Sequence, residues 1–159
     1  MAQNGSGGFS EVERAAMKER AAELRAEKGG RKAATALEDL LKSIQAMPAD
    51  QRAIAERVHV IVTEVAPDLL PKTWYRQPAW TNADGKVVVF FHSAAKYGTR
   101  YNTLGFDEAS HLDDGVMWPT SYAITGPLDL GEEKQIADLV RKAAGLGESR
   151  DRSGGTGPA

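Results

Sequence analysis

From Thr35 onward the apolar positions repeat with the period of a helix. Leu37, Leu40, Leu41, Ile44 and Met47 recur at spacings of three and four, which predicts an amphipathic helix. Thr35 and Glu38 have the spacing of a capping box at its start, and Pro48 closes it or opens the next helix. A second stripe, Ile54, Val58, Ile61, Val62 and Val65, predicts a second helix that Pro67 and Pro71 stop. Then the period changes. Trp74 to Trp80 reads as one strand, with Pro78 marking an edge or a bulge. Asn82-Ala83-Asp84-Gly85 is a hairpin turn signal. Val87 to Phe91 is apolar at every position, which predicts a central strand covered on both faces, with Val88, Phe90 and one or more of Trp74, Trp80 and Trp118 packed under the helices. Tyr101 to Phe106 and Trp118 to Ile124 supply two more strands, with a short turn or helix between Asp107 and Gly115. Asp129 and Glu132 open a last helix that turns Ile136, Leu139, Val140 and Ala143 inward, and Gly145 ends it.

Upstream lies a different kind of segment. Ser10 and Glu13 have capping-box spacing, and the residues to Lys28 are good helix formers, mostly Ala, Glu, Arg and Lys. Val12, Met17 and Leu24 form no continuous stripe, so this helix is solvated or lies on a partner. Gly29-Gly30 predicts its end. Residues 1–8 and the Gly- and Ser-rich stretch after Gly145 predict disorder. The expected order is therefore α-α-α-β-β-β-(short α)-β-α. The class is α+β: a small antiparallel sheet of three to four strands with helices on one face, plus a polar N-terminal helix. The expected division is 1–34 (tail and polar helix), 35–145 (the compact domain) and 146–159 (tail).

Composition narrows the function classes. A net charge of −2 gives no bulk attraction to nucleic acid or acidic membranes. Cysteine is absent, so disulfides, thiolate metal sites and thiol catalysis are excluded. That fits a reducing cytoplasm. No apolar run is long enough to span a bilayer, and residues 1–8 lack the pattern of a secretory signal.

Ten of the eleven aromatic residues fall between Trp74 and Tyr122, so the core and any ligand surface are expected there. Lys96-Tyr97-Gly98-Thr99-Arg100-Tyr101 alternates cations, rings and Gly at the mouth of a strand. Such a loop could hold an anion through its cations and backbone N–H groups, and stack a planar ring. With Arg76 it predicts a small anionic or planar ligand at Trp74, Tyr75, Arg76, Lys96, Arg100, Tyr101 and Trp118. The bland alternative is that the rings are core and the charges solvated rim, with Arg100 pairing Asp107, Asp113 or Asp114. Glu56/His59 and Glu108/His111 share the Glu-x-x-His spacing of carboxylate–imidazole metal sites. At about 100° per residue, Glu56 and His59 point away from the apolar stripe into solvent. His111 with Asp113 and Asp114 is the remaining metal candidate. His92-Ser93 cannot act together from one strand face, and no nucleophile elbow, dinucleotide or phosphate loop is present.

Several stretches resemble the YdhG-like family of small bacterial domains. They are Ala66-Pro67-Asp68, Lys72 to Trp80, Gly85 to Phe91, Thr99 to Phe106, and Leu112 to Thr120. The resemblance covers roughly Thr35 to Ala144. It implies an α+β fold of that type, and, from one branch described as a frataxin-like intracellular iron chaperone, a link to iron. The family commonly has Gly-Met where Arg76-Gln77 stand here. The resulting expectation is a cytoplasmic, non-enzymatic binding domain for a small anionic or planar ligand or for iron. Its rivals are an enzyme using His92 or His111 as acid/base, and an interaction module docking a protein partner through the Ser10–Lys28 helix.

Overall fold

The computed structural model describes residues 10–147, the backbone alone over 22–28. Of the disorder expected of residues 1–8 and 146–159, all but residues 146 and 147 lies outside the described residues. The elements are α1 (Glu11–Gln45), α2 (Ala49–Val65), β1 (Leu70–Trp74), β2 (Gln77–Thr81), β3 (Val87–His92), α3 (Ala94–Tyr97), β4 (Asn102–Phe106), β5 (Ser121–Ile124) and α4 (Leu130–Ala143). The fold is α+β with one antiparallel sheet of five strands in the order β1-β2-β3-β4-β5. Each strand pairs with its successor, so every pairing is local and β3 lies at the centre, as its all-apolar sequence predicts.

Contacts divide the chain between Thr35 and Ala36. In the first unit, Ser10 and Glu13 form the expected capping box. The Ser10 hydroxyl accepts from Glu13 N–H at 3.1 Å, and Ser10 N–H donates to the Glu13 carboxylate at 2.9 Å. Val12 and Met17 are exposed, as the broken stripe predicts. The predicted stop at Gly29-Gly30 is not observed, and helix geometry passes through both glycines. Each costs only about 1 kcal/mol relative to Ala, and the flanking Ala, Arg and Lys are strong helix formers. Thr35 accordingly caps nothing. Its hydroxyl donates back to Arg31 C=O at 3.0 Å, as mid-helix Thr does.

In the second unit the apolar helix faces meet one face of the sheet. Leu40, Ile44, Ile54, Val58, Val62, Ile136 and Val140 pack with Trp80, Val89, Phe91, Leu104 and Phe106 in one buried cluster. The alternation is that of strands: Trp80, Val89 and Phe106 are register neighbours, as are Phe91, Leu104 and Tyr122. Burial of each large side chain contributes about 1.5–3 kcal/mol. The last helix starts with the predicted capping box, Asp129 accepting from Glu132 N–H at 2.8 Å. Gly145 ends it with φ +82, in the left-handed region that suits glycine. Arg57 of α2 grips Glu133 of α4 through two hydrogen bonds of 2.9 and 2.8 Å.

Four further expectations need correction. Trp74 to Trp80 is two strands, because the chain reverses at Tyr75-Arg76. The short helix lies at Ala94–Tyr97, whereas Asp107 to Gly115 is an irregular turn. Phe90 does not point toward the helices. It lies on the opposite sheet face, with ring contacts to Trp74 and His92. Of the two readings of Pro78, an edge or a bulge, the edge is not found, since β2 lies between β1 and β3, while the register of β2 on β3 does shift between Trp80 and Thr81. The β2–β3 ladder begins one residue after Pro78, at Ala79, so the missing proline N–H costs no rung there.

Candidate functional site

The site grows from a tight turn. Tyr75 and Arg76 have φ of +55 and +62, as both central residues of a type I′ hairpin turn require. The two-residue connection matches the right-handed twist of β1 and β2. Non-glycine residues there bear a cost of roughly 1–2 kcal/mol each. Gln77, buried at 5% exposure, holds the turn in place. Its amide donates to Arg76 C=O at 3.0 Å, and its carbonyl accepts from Ser93 N–H at 2.9 Å. One side chain thus ties the β1–β2 turn to the start of α3.

The same chemistry fixes α3. Ser93 N–H is taken by Gln77, Ala94 N–H by buried Asn102 at 2.9 Å, and Ala95 N–H by Gln51 of α2 at 3.0 Å. Lys96 N–H donates to the Ser93 hydroxyl at 3.4 Å. Asn102 also donates to Ile124 C=O at 3.0 Å, linking α3 to the edge strand β5. Four backbone donors that would otherwise be open at a helix start are all satisfied internally. At the other end, Gly98 in the left-handed region and Thr99 both send their N–H to Ala94 C=O. These six groups are therefore not free for an anion, contrary to the role the sequence suggests for backbone N–H groups of this loop. Sequence reasoning singled out none of Gln51, Gln77 and Asn102 as site residues, and weighed Ser93 only beside His92 as a nucleophile pair. Ser93 before Ala-Ala-Lys was a readable cap signal, but buried carboxamides have none.

On the sheet face away from the helices the rings form a row. Trp74 lies 5.2 Å from Tyr75 and 5.2 Å from Phe90, Phe90 lies 4.6 Å from His92, and His92 lies 4.6 Å from Tyr97. Phe90 can lie flat here because Gly105 stands opposite it in β4. A Cβ at residue 105 would come within 2.1 Å of the Phe90 ring. The row ends in a shallow cleft of about 390 Å³ lined by Tyr75, Arg76, His92, Lys96 and Tyr97. Burial pushes the His92 imidazole below its ordinary value, so the ring is neutral at pH 7. Its Nε2 is buried without a hydrogen-bond partner. Burial, then neighbouring Tyr75, raises the Tyr97 phenol, which stays protonated. Among the described residues, Arg76 and Lys96 form no ion pair.

The structure thus brings Tyr75, Arg76 and Lys96 together, with Trp74 next to them in the ring row. It adds His92 and Tyr97 as cleft walls. Arg100 and Tyr101 do not line the cleft. They pair with each other, the guanidinium 5.4 Å from the ring centroid, and the anticipated Arg100 salt bridge is not found among the described residues. Trp118 packs against the core near the Phe106 end of β4, whereas His92 pairs with Thr103 near the other end.

Among the described residues no carboxylate hydrogen-bonds the His92 ring, and the Ser93 hydroxyl serves as the cap of α3. His59 is not solvated. It stacks on Trp80 at 6.0 Å, and burial lowers its pKa, while Glu56 takes a hydrogen bond from Gln45. His111, Asp113 and Asp114 are exposed, and the His111 ring lies beside Gly145. Among the described residues no three His, Asp or Glu side chains gather as a metal site. No described helix is long and apolar enough to cross a membrane. Comparison with family models, curated proteins and solved structures returned no match.

Proposed function

We propose that this chain is a cytoplasmic, non-enzymatic binding domain that takes a small planar anion in the cleft between the Tyr75-Arg76 turn and α3. Kinship with YdhG-like domains belongs to the same proposal and rests on the residue stretches quoted above. The observation that carries the reading is the company of two cations and three rings. Arg76 and Lys96, without ion-pair partners among the described residues, share one cleft with Tyr75, His92 and Tyr97. A folding role would not require it. Neither cation offsets a carboxylate there, and the exposed rings of Tyr75 and Tyr97 leave apolar surface in water. A planar ligand covers those rings, and its charge meets the two cations.

The cleft is shallow, so binding is expected to be weak. At ~0.3 kcal/mol per non-hydrogen atom, a two-ring carboxylate of about 13 such atoms gains ~4 kcal/mol, a Kd of about 1 mM. Titration of the full chain with 1-naphthoate, followed by two-dimensional NMR, tests the reading. Amide shifts confined to Tyr75, Arg76, Lys96, Tyr97 and their neighbours are expected. Shifts that centre elsewhere, or none at ~10 mM, about ten times that Kd, would sink it.

A further inference from the structure

We infer that the cleft takes its anion together with a proton, which His92 carries, so that falling pH tightens binding. This coupling rests on the binding reading above and adds its regulation. Without an anion, a proton on His92 has no counter-charge. The ionisable side chains that share the cleft with the ring are Tyr75 and Arg76 from the β1–β2 turn and Lys96 and Tyr97 from α3, and none is a carboxylate. Trp74 and Phe90 in the ring row are neutral, and so is Thr103, its partner in β4. From β2, Gln77 is a neutral amide committed to Arg76 C=O and Ser93 N–H. Burial holds the imidazole below its ordinary value, and its Nε2 has no hydrogen-bond partner.

A bound anion changes that balance. Held by Arg76 and Lys96, it puts a negative charge into the same cleft of about 390 Å³, and a nearby opposite charge favours the charged form of a base. The flanking rings do not oppose the change. Phe90 and Tyr97 each lie 4.6 Å from the His92 ring, within the distance at which an aromatic face attracts a cation. The proton comes from solvent and adds to the imidazole lone pair, and no bond of the ligand breaks. The linkage is reciprocal: the factor by which the anion raises the proton affinity of His92 is the factor by which protonation raises the anion affinity of the cleft. The other two histidines lie elsewhere, His59 stacked on Trp80 and His111 beside Gly145, and serve as internal references.

The probe is 1-naphthalenesulfonate, which stays a monoanion between pH 5 and 8. The full chain is titrated by NMR on the imidazole C–H signals with ~10 mM probe, ten times a Kd of about 1 mM, and again in sodium chloride of equal ionic strength. The His92 midpoint should rise by about 0.5–1 pH unit with the probe, and those of His59 and His111 should stay in place. Correspondingly, the calorimetric Kd should fall about three- to tenfold from pH 8 to pH 5. In His92→Gln that ratio should be near one, whatever the affinity at pH 8. Amide shifts in the cleft with an unmoved His92 midpoint would overturn the coupling and leave the binding reading standing, as would a pH dependence that His92→Gln retains. Absence of amide shifts at Tyr75, Arg76, Lys96 and Tyr97 would overturn both. The wild-type midpoints decide the matter even where His92→Gln fails to fold.

Discussion

Gly105→Ala should disorganise the aromatic row from the opposite strand. An added Cβ would lie 2.1 Å from Phe90 Cζ and 2.4 Å from Cε1, against ordinary contacts of 3.4–4 Å. The Phe90 ring must retreat by more than an ångström, and it is held between Trp74 and His92. Each such aromatic pair contributes about 0.5–1.5 kcal/mol beyond area, so losing both costs ~1–3 kcal/mol. Removing glycine from a strand returns about 0.5–1 kcal/mol. The net loss expected is ~1–2 kcal/mol, or about 4–8 °C in Tm for a folded unit of this size. A double-mutant cycle isolates the cause. In a Phe90→Ala background the clash has no partner, so Gly105→Ala should cost nothing or stabilise slightly. The coupling between the two sites should be about 1–3 kcal/mol, read from urea unfolding. Additive single and double variants would show that residue 105 does not constrain Phe90, and the account of why glycine stands there would be wrong.

Gln77→Ala should cost ~2–4 kcal/mol, because Ser93 N–H and Arg76 C=O each lose a partner at about 1–3 kcal/mol; a urea-unfolding loss below ~0.5 kcal/mol would mean water replaces both bonds freely. Arg76→Gly should leave Tm unchanged or raise it by a few degrees, since releasing the φ of +62 gains roughly 1–2 kcal/mol and glycine's unfolded-state entropy takes back about 0.5–1 kcal/mol. A clear fall in Tm would show that the guanidinium is structural. Burial lowers the pKa of both His59 and His92, so the unfolded chain binds their protons more readily. Stability should be full above the unfolded value of about 6.5 and fall as pH drops below it. Urea midpoints between pH 8 and 5 check the sign, and His92→Gln should flatten the slope. Phe90→Ala alone should cost ~2 kcal/mol, less than the ~3–5 kcal/mol of a fully buried ring, because Phe90 is only half-buried on the open face.

The parts of the fold that were legible are those where one signal dominates. The helices of the second unit follow from unbroken apolar stripes, and Ile54, Val58, Ile61 and Val62 are indeed buried. The Asp129/Glu132 start and the Gly145 stop of α4 are local chemistry that tertiary contacts did not override. The Asn82–Gly85 turn carries its usual residues. The Tyr75-Arg76 turn carries none. Bulky residues at two positive φ angles contradict the Asn-Gly preference of such turns, so two strands merged into one in the sequence. What holds them there is Gln77, a contact made across sixteen residues to Ser93. Phe90 failed for another reason. When every position of a strand is apolar, alternation does not say which face the helices cover.

The concentration of rings between Trp74 and Tyr122 therefore has two meanings, and the sheet separates them. Trp80, Phe91, Phe106 and, at the margin, Trp118 and Tyr122 belong to the helix-side core. Trp74, Phe90, His92, Tyr97 and Tyr75 occupy the other face, where an antiparallel sheet with one covered side is expected to be polar. Keeping them there requires a glycine under Phe90 and a strained turn beside Tyr75, with a buried glutamine to hold that turn. None of these is needed by the core. Residues that break the local rules of a stable sheet are found most often where a protein binds something. Here the strained turn lines one cleft, at the end of the ring row that Gly105 makes room for, and its two cations lack ion-pair partners among the described residues.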